Sequence, residues 1–309
     1  MSKIIKKVPI PVSGLILALS ATGNLLSPYS ITLKIVCGGI ALFFLLLLLF
    51  RIYIDHSNIR AELNNPVIAS VTPTAAMALM ILSTYIAPIY QKAALSIWIF
   101  AIVLHFSLLF FYTFKFIRKM DITIIFPSSF ISFVGIVVAS VTAPAYHAFG
   151  IGQILFWFGF VSYVIFLPVV LYRTVFVKKI PEAAMGVMAV YAAPASLCLL
   201  GYISVYEKIN MPFVYTLTAV AVISTFAVIL FLPKLIKRTF YPSCAALGFP
   251  FIVSAHAMKK ACMIPADELY SKFMSSVSFF VEVTAIIVVM YVATRYVHHI
   301  FIKTNRTAA

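Results

Sequence analysis

The side chains that could do chemistry in this sequence are few and far apart. His147, His256 and Glu282 lie in or beside long apolar stretches, where an acid, a base or a metal ligand is conspicuous. Catalysis requires such groups at short range, as in the H-E-x-x-H helix of a metalloprotease. These residues form no such motif, so we predict no enzyme activity, no catalytic residue and no cofactor.

The cysteines do not suggest metal or disulfide chemistry either. They are scattered in or beside apolar stretches, with no C-x-x-C motif and no Cys/His pairing. Zinc sites and disulfide frameworks are recognised by such spacings. We therefore expect neither a metal site nor a disulfide at Cys37, Cys198, Cys244 and Cys262.

Two ionisable residues could take part in transport instead. Glu282 lies about eleven residues into the last apolar run, near mid-membrane, where an acid is usually functional or paired. We interpret it as a buried hydrogen-bonding group, with a proton-coupling carboxylate as the alternative. A histidinium at His256 would attract anions and make transport sensitive to mild acid, whereas a neutral His256 would bond a neighbouring helix.

The elements that carry these residues are predicted to be membrane-spanning helices. Of the 309 residues, 63% are apolar and 10% are charged, which is far more apolar surface than a soluble core needs. About 20 apolar residues cross the hydrocarbon layer. We predict an all-α membrane protein with a single transmembrane domain over residues 1–309. Its ten helices are expected at about 9–26, 31–50, 66–87, 92–114, 126–145, 149–172, 183–203, 211–233, 242–260 and 271–296.

The net charge of +15 is distributed in a way that indicates membrane topology rather than nucleic-acid binding. Most of the 23 lysines and arginines lie at the termini or in the loops after even-numbered helices. The positive-inside rule then predicts a multi-pass protein of the cell membrane with both termini in the cytoplasm. We expect contact with anionic lipid and no nucleic-acid partner. The other side carries Lys34, Lys92, Lys208, Lys259, Lys260 and Lys272.

A proline opens every second predicted helix at similar intervals of 57, 61, 54 and 61 residues. A repeat of this length in an apolar chain indicates helical hairpins around a common centre. The odd-numbered helices are rich in small residues, which allow close packing, and the even-numbered ones carry bulky Leu and Phe. We therefore predict five hairpins, with an inner five-helix pore ringed by five outer helices. The repeated prolines are Pro9, Pro66, Pro127, Pro181 and Pro242.

Further prolines lie within the inner helices. A proline removes an N–H group, frees a carbonyl and kinks the helix, and freed backbone at membrane depth must be satisfied by protein or water. A lined cavity is therefore expected. The cavity has no acidic ring and the protein is strongly basic, so an anion is favoured over a cation. The predicted kinks are at Pro73, Pro144, Pro194 and Pro250.

Five segments resemble the tellurite-resistance/dicarboxylate transporter family, which includes bacterial TehA-type proteins and the plant slow anion channels. The segments cover all five odd-numbered helices, so the resemblance spans nearly the whole chain. They read SGLILALSATGNLL at 13–26, NPVIASVTPTAAMALMILSTYI at 65–86, PSSFISFVGIVVASVTAPAY at 127–146, AVYAAPASLCLLGY at 189–202 and YPSCAALGFPF at 241–251.

The resemblance implies a homotrimer in which each subunit has its own pore. It also implies that an aromatic residue before a proline or glycine of the ninth helix plugs this pore, and Phe249 in Gly248-Phe249-Pro250 matches that position. An aromatic ring in an apolar constriction leaves no room for a hydrated ion. His256 lies two turns further along the same helix face. The pore-lining candidates, several of them from aligning the repeats, are Gly14, Thr72, Val134, Gly135, Met188, Ile252 and His256.

Family resemblance leaves more than one transport function open. The first is an anion channel for small inorganic or organic anions, closed by Phe249. The alternative is a proton-coupled carrier of C4-dicarboxylates or an exporter of oxyanions such as sulfite or tellurite. Uncoupled currents would favour the channel, and proton flux lost in Glu282→Gln would favour the carrier.

Overall fold

The computed structural model describes residues 2–178, 180–236, 239–264 and 268–302, with side chains from residue 4 onward. Within these ranges the chain is helical and contains no strand, so the predicted all-α class is confirmed. Lys3, Lys179, Lys237, Arg238, Lys303 and Arg306, which contributed to the topology prediction, lie outside the residues whose side chains are described.

Ten helical runs follow one another along the chain, and several of them are built from two segments. The runs are α1 (Val12–Leu26), α2 (Ile31–Ile54), α3 (Pro66–Val71 and Thr74–Ile86), α4 (Gln91–Lys115), α5 (Ser129–Val134 and Val137–Thr142), α6 (Phe149–Tyr172), α7 (Glu182–Ala192 and Ala193–Val205), α8 (Met211–Ile236), α9 (Pro242–Leu247 and Gly248–Cys262) and α10 (Glu268–Val297). Two short helices, Ser2–Ile5 and His56–Glu62, lie beside the membrane-length ones.

Seven of the runs have the length and hydropathy of membrane spans, namely those that contain α2, α3, α4, α6, α7, α8 and α10. α1 and the second part of α5 are shorter apolar helices. α9 carries Lys259 and Lys260 in its last turn. The apolar runs in the sequence are therefore helical in the part of the chain that the structure describes.

The helices differ in how much of their surface is buried. In the most apolar stretch of α7, 72% of residues are buried, whereas the corresponding stretch of α8 has 22%. α1 and α9 are buried along almost their whole length. The even-numbered helices expose large apolar side chains such as Phe100, Ile154 and Leu230, which suit a lipid environment.

Small residues bring the buried helices into close contact. A Cβ atom on Gly14 of α1 would lie 3.1 Å from the Cβ of Ala245 in α9, and one on Gly248 of α9 would lie 2.8 Å from the Cβ of Ala18. Hydroxyl pairs join neighbouring buried helices, including Thr74 with Ser13 at 2.7 Å. Such contacts are typical of helix packing in membranes, where burial of apolar surface does not favour association.

The buried helices are irregular where the sequence predicts kinks, and the irregularity takes several forms. α3 is broken between Val71 and Thr74, next to Pro73. The first parts of α7 and α9 are 3₁₀-helices, and each becomes an α-helix just before Pro194 or Pro250. A proline is tolerated there because the first turn of an α-helix has no partner for its N–H groups.

Candidate functional site

Three cavities follow one another along the buried helices α1, α3, α5, α7 and α9. All five helices, or the residues just before them, contribute to each cavity. The first has a volume of about 250 Å³ and is lined near the helix starts, for example by Pro11, Pro66 and Pro242. The middle one is small, about 30 Å³. The third is lined nearer the C-terminal ends of α1, α3 and α9, for example by Asn24, Thr84 and Lys260, and measures about 430 Å³; it is called the outer cavity below. The five helices therefore surround a discontinuous central path.

Phe249 and Leu197 line both the middle and the outer cavity. Phe249 is 8% exposed and Leu197 is 3% exposed, so both side chains are packed among neighbouring helices. These two residues form the partition between the two cavities. The ring of Phe249 stands at a position where α9 has just changed from a 3₁₀- to an α-helix.

The middle cavity is almost wholly apolar. Thr74 is the polar residue in its lining, and its hydroxyl donates a hydrogen bond to the Val71 carbonyl at 2.8 Å. Among the described residues, no charged side chain lines this cavity. An ion entering this space would lose its hydration without a compensating charge.

The outer cavity is polar and carries positive charge. Lys260 and His256 lie on its α9 side, one helical turn apart. Asn24 and Thr84 lie on the α1 and α3 sides, with the Asn24 amide donating to the Thr84 hydroxyl at 3.4 Å. Within the described part of the chain, no Asp or Glu lines this cavity. Its electrostatic character therefore suits an anion.

Most sequence-predicted site residues fall on this path. Phe249 lies at the partition, and Ile252, His256 and Pro144 line the outer cavity. The middle cavity is lined by Gly14, Val134, Gly135, Pro194 and Pro250.

Met188 and Thr72 lie elsewhere. Met188 lines a separate cavity of about 450 Å³ between α6, α7 and α8. Counting seven residues from Pro181 predicted the depth of Met188 but not the face of α7 on which it lies. The Thr72 hydroxyl donates a hydrogen bond to the Ile68 carbonyl at 2.8 Å. Thr74, and not Thr72, lines the middle cavity.

Glu282 forms an ion pair at the outer ends of the helices. Lys259 Nζ lies 3.0 Å and 3.2 Å from its two carboxylate oxygens, and the Tyr29 hydroxyl donates to Oε2 at 3.2 Å. Because Lys259 is in the last turn of α9 and Tyr29 follows α1, Glu282 lies at the level of these ends and not near mid-membrane. The sequence-based depth of Glu282 was counted from the start of α10. Because α10 starts beyond the end of α9, this count placed Glu282 too deep in the membrane.

Sequence reasoning missed three further groups. Lys260 follows His256 by four residues, so the same helical periodicity that selected His256 also indicates Lys260. Leu197 has no distinctive sequence signal among the leucines of the chain. His105 of α4 is fully buried, and its Nε2 lies 3.0 Å from the Ser132 carbonyl, just before α5 breaks.

Comparison with known proteins gives one clear match. A family model described as SLAC1, voltage-dependent anion channel, matches residues 7–297 of the chain. The match therefore includes all ten helical runs and all the cavities described above. No individually curated protein matches the chain.

Proposed function

This chain belongs to the SLAC1 family, described as voltage-dependent anion channels, and from that membership we propose that it conducts anions along the path enclosed by α1, α3, α5, α7 and α9. These helices would form an inner ring of five and the even-numbered helices an outer ring, giving ten spans arranged as five hairpins. The observation that carries the proposal is the partition at Phe249 and Leu197, between an apolar constriction and a cationic outer cavity.

In this proposal the Phe249 ring closes the pore. The ring leaves no space for a hydrated ion, and the apolar residues around it offer nothing to replace the hydration shell. Opening then requires that the ring move or that α9 shift near Pro250. Lys260 would raise the local concentration of anions on the outer side of this barrier.

The direct test is the current through purified Phe249→Ala in planar bilayers. We expect anion conductance to rise at least tenfold, because removing the ring joins the middle and outer cavities. Phe279→Ala serves as the matched control, since Phe279 is 69% exposed on α10 and faces away from the path. Unchanged anion currents in a well-expressed Phe249→Ala protein would contradict the proposed gate.

The coupled-carrier alternative depends on Glu282. This carboxylate lies away from the three central cavities and is already paired with Lys259, which supports a structural role over proton transfer. We accordingly favour an uncoupled channel. Large anion currents without accompanying proton flux would support it, whereas proton flux tied to malate uptake would favour the carrier.

We further propose that the chain forms a homotrimer in the cell membrane, with both termini in the cytoplasm. Support for the topology comes from Lys115 at the end of α4 and from Arg60, Arg118 and Lys119 in the segments after α2 and α4. Support for the trimer is the family resemblance of the five inner segments. The mass of the purified complex tests the trimer.

A further inference from the structure

The helix α4 carries a line of buried polar side chains on one face. Trp98, His105 and Tyr112 follow one another at intervals of seven residues, or about two helical turns, and all three are fully buried. Each forms a hydrogen bond with α5, whose residues line the middle and outer cavities. Because burying a polar group is costly unless it is hydrogen-bonded, this line marks the face by which α4 holds α5.

Two of these bonds go to side chains at the ends of α5. The Trp98 indole donates to the Thr142 hydroxyl at 2.8 Å, at the end of the second segment of α5. The Tyr112 and Ser129 hydroxyls lie 2.8 Å apart, at the start of the first segment. Neither bond involves a backbone group of α5.

His105 differs because it bonds the backbone of α5 at its break. Its Nε2 lies 3.0 Å from the Ser132 carbonyl oxygen, and Nε2 is the donor because a carbonyl oxygen can only accept. In a continuous α-helix this carbonyl would accept from the N–H four residues later, which belongs to Ile136. Ile136 lies between the two segments of α5, Ser129–Val134 and Val137–Thr142. The imidazole therefore satisfies a carbonyl at the break, as buried backbone at membrane depth requires.

Ser132 connects this bond to the break of α3. The Ser132 hydroxyl donates to the Ser70 carbonyl at 3.2 Å, just before α3 is interrupted between Val71 and Thr74. One serine thus accepts from α4 through its carbonyl and donates to α3 through its hydroxyl. His105 and Ser132 therefore tie together the breaks of two helices that border the middle cavity.

The imidazole also packs behind the wall of the middle cavity. Gly135 and Met77 line this cavity, and a Cβ atom on Gly135 would lie 2.7 Å from the Met77 sulfur and 3.2 Å from His105 Cε1. Gly135 can therefore move toward the cavity but not away from it. His105 itself does not line the cavity, so it acts on the path through Gly135 and Ser132.

We propose that His105 is a positioning residue that holds the break of α5 and, with it, the wall formed by Val134 and Gly135. This inference rests on the anion path proposed above. Without the N–H donor at position 105, the Ser132 carbonyl loses its partner in an apolar interior. Closing the break with the Ile136 N–H would restore a partner, and it would turn Val134 and Gly135 out of their present positions.

His105→Leu tests this role, because it removes the donor while leaving a bulky side chain behind Gly135. The substitution is made in Phe249→Ala, where we expect the gate to be absent, and single-channel anion conductance is measured in planar bilayers. We expect a fall of roughly threefold, since Gly135 has space only on the side of the path. His105→Gln retains an N–H donor in its amide and should restore most of the conductance.

Tyr112→Phe is the matched control in the same background. It removes one buried hydroxyl from the same face of α4, and the bond that is lost joins Ser129, away from the break. We expect the conductance of Phe249→Ala to be retained. The proposal is overturned if His105→Leu leaves the conductance unchanged, if His105→Gln lowers it as much as His105→Leu does, or if Tyr112→Phe lowers it equally.

A second measurement does not depend on current. The proposed bond requires a proton on Nε2 of His105 and none on Nδ1, which has no hydrogen-bond partner among the residues that the structure describes. Nitrogen-15 NMR of histidine-labelled protein distinguishes protonated from unprotonated ring nitrogens, and His105→Gln identifies the signals by their loss. A proton on Nδ1 in place of Nε2 would overturn the proposal.

The two measurements also separate this proposal from the proposed gate. If Phe249→Ala alone carries no more current than the unmodified protein, the gate at Phe249 is wrong. The NMR spectrum then still decides whether His105 donates to the Ser132 carbonyl.

Discussion

At the scale of single residues, α9 brings together the groups that the proposed conduction depends on. Phe249 lines the middle and the outer cavity, and the outer cavity is also lined by His256 and Lys260 further along the same helix. The adjacent Lys259 points to a different neighbour, Glu282 of α10. The two successive lysines therefore have different surroundings. Glu282 neutralises the charge of Lys259, whereas the Lys260 side chain lines the outer cavity.

Lys260→Gln should lower anion current because it removes a positive charge from the outer cavity. We expect a reduction of about twofold to fivefold in dilute salt, and a smaller one in concentrated salt, where the charge is screened. Current–voltage curves at two salt concentrations measure this. Lys208→Gln removes an exposed charge from the loop between α7 and α8 and should have little effect. Equal effects of the two substitutions would show that the outer cavity does not concentrate anions.

Glu282→Gln should destabilise the protein without abolishing conduction. The substitution leaves Lys259, whose side chain is 17% exposed, beside a neutral amide, at a cost of about 1–3 kcal/mol. Thermal unfolding in detergent measures the loss. Glu268→Gln is the control, because Glu268 pairs with Lys272 on the surface at 2.7 Å and such a pair contributes about 0.3–0.5 kcal/mol. A stable Glu282→Gln protein that has lost proton-linked transport would instead establish the coupled carrier.

At the scale of elements, the first halves of α7 and α9 are 3₁₀-helices packed against each other. The Ser243 hydroxyl donates to the Ala183 carbonyl, and a Cβ atom on Gly186 would lie 2.6 Å from the Ser243 carbonyl oxygen. A 3₁₀-helix longer than a few residues is uncommon, and the one in α7 covers Glu182–Ala192. Close packing on α9 therefore stabilises a conformation that α7 would not adopt alone.

Gly186→Ala should force these two segments apart. Its Cβ would meet backbone atoms, which cannot move aside as a flexible side chain can, so we expect a destabilisation of about 1–3 kcal/mol. Gly39→Ala is the control, because a Cβ there meets nothing within 4 Å and alanine favours the helix. Thermal unfolding of both variants is the measurement. If both variants unfold at the temperature of the unmodified protein, the close contact between α7 and α9 is not structurally important.

At the scale of the whole molecule, basic residues near the helix ends do more than set topology. Arg51 is 4% exposed and pairs with Glu62 while donating to the Val8 carbonyl. Arg173 is 2% exposed and donates to the Thr123 carbonyl at 3.2 Å. Both arginines therefore connect the loops at this end of the bundle to each other, in addition to the general lipid contact predicted for the basic residues.

Composition and periodicity were enough to predict an all-helical membrane protein, because membrane spans must be long and apolar. Helical periodicity along α9 also predicted that His256 lies on the same face as Phe249, which the family resemblance had selected, and both residues line the outer cavity.

Which face of each irregular helix meets the path depends on how the helices pack against one another. Counting from the entry proline predicted the depth of Met188 but not the face of α7 on which it lies, and the depth of Glu282 depends on where α9 ends beside α10. Leu197 joined Phe249 at the partition through packing between helices, which no local pattern of residues encodes.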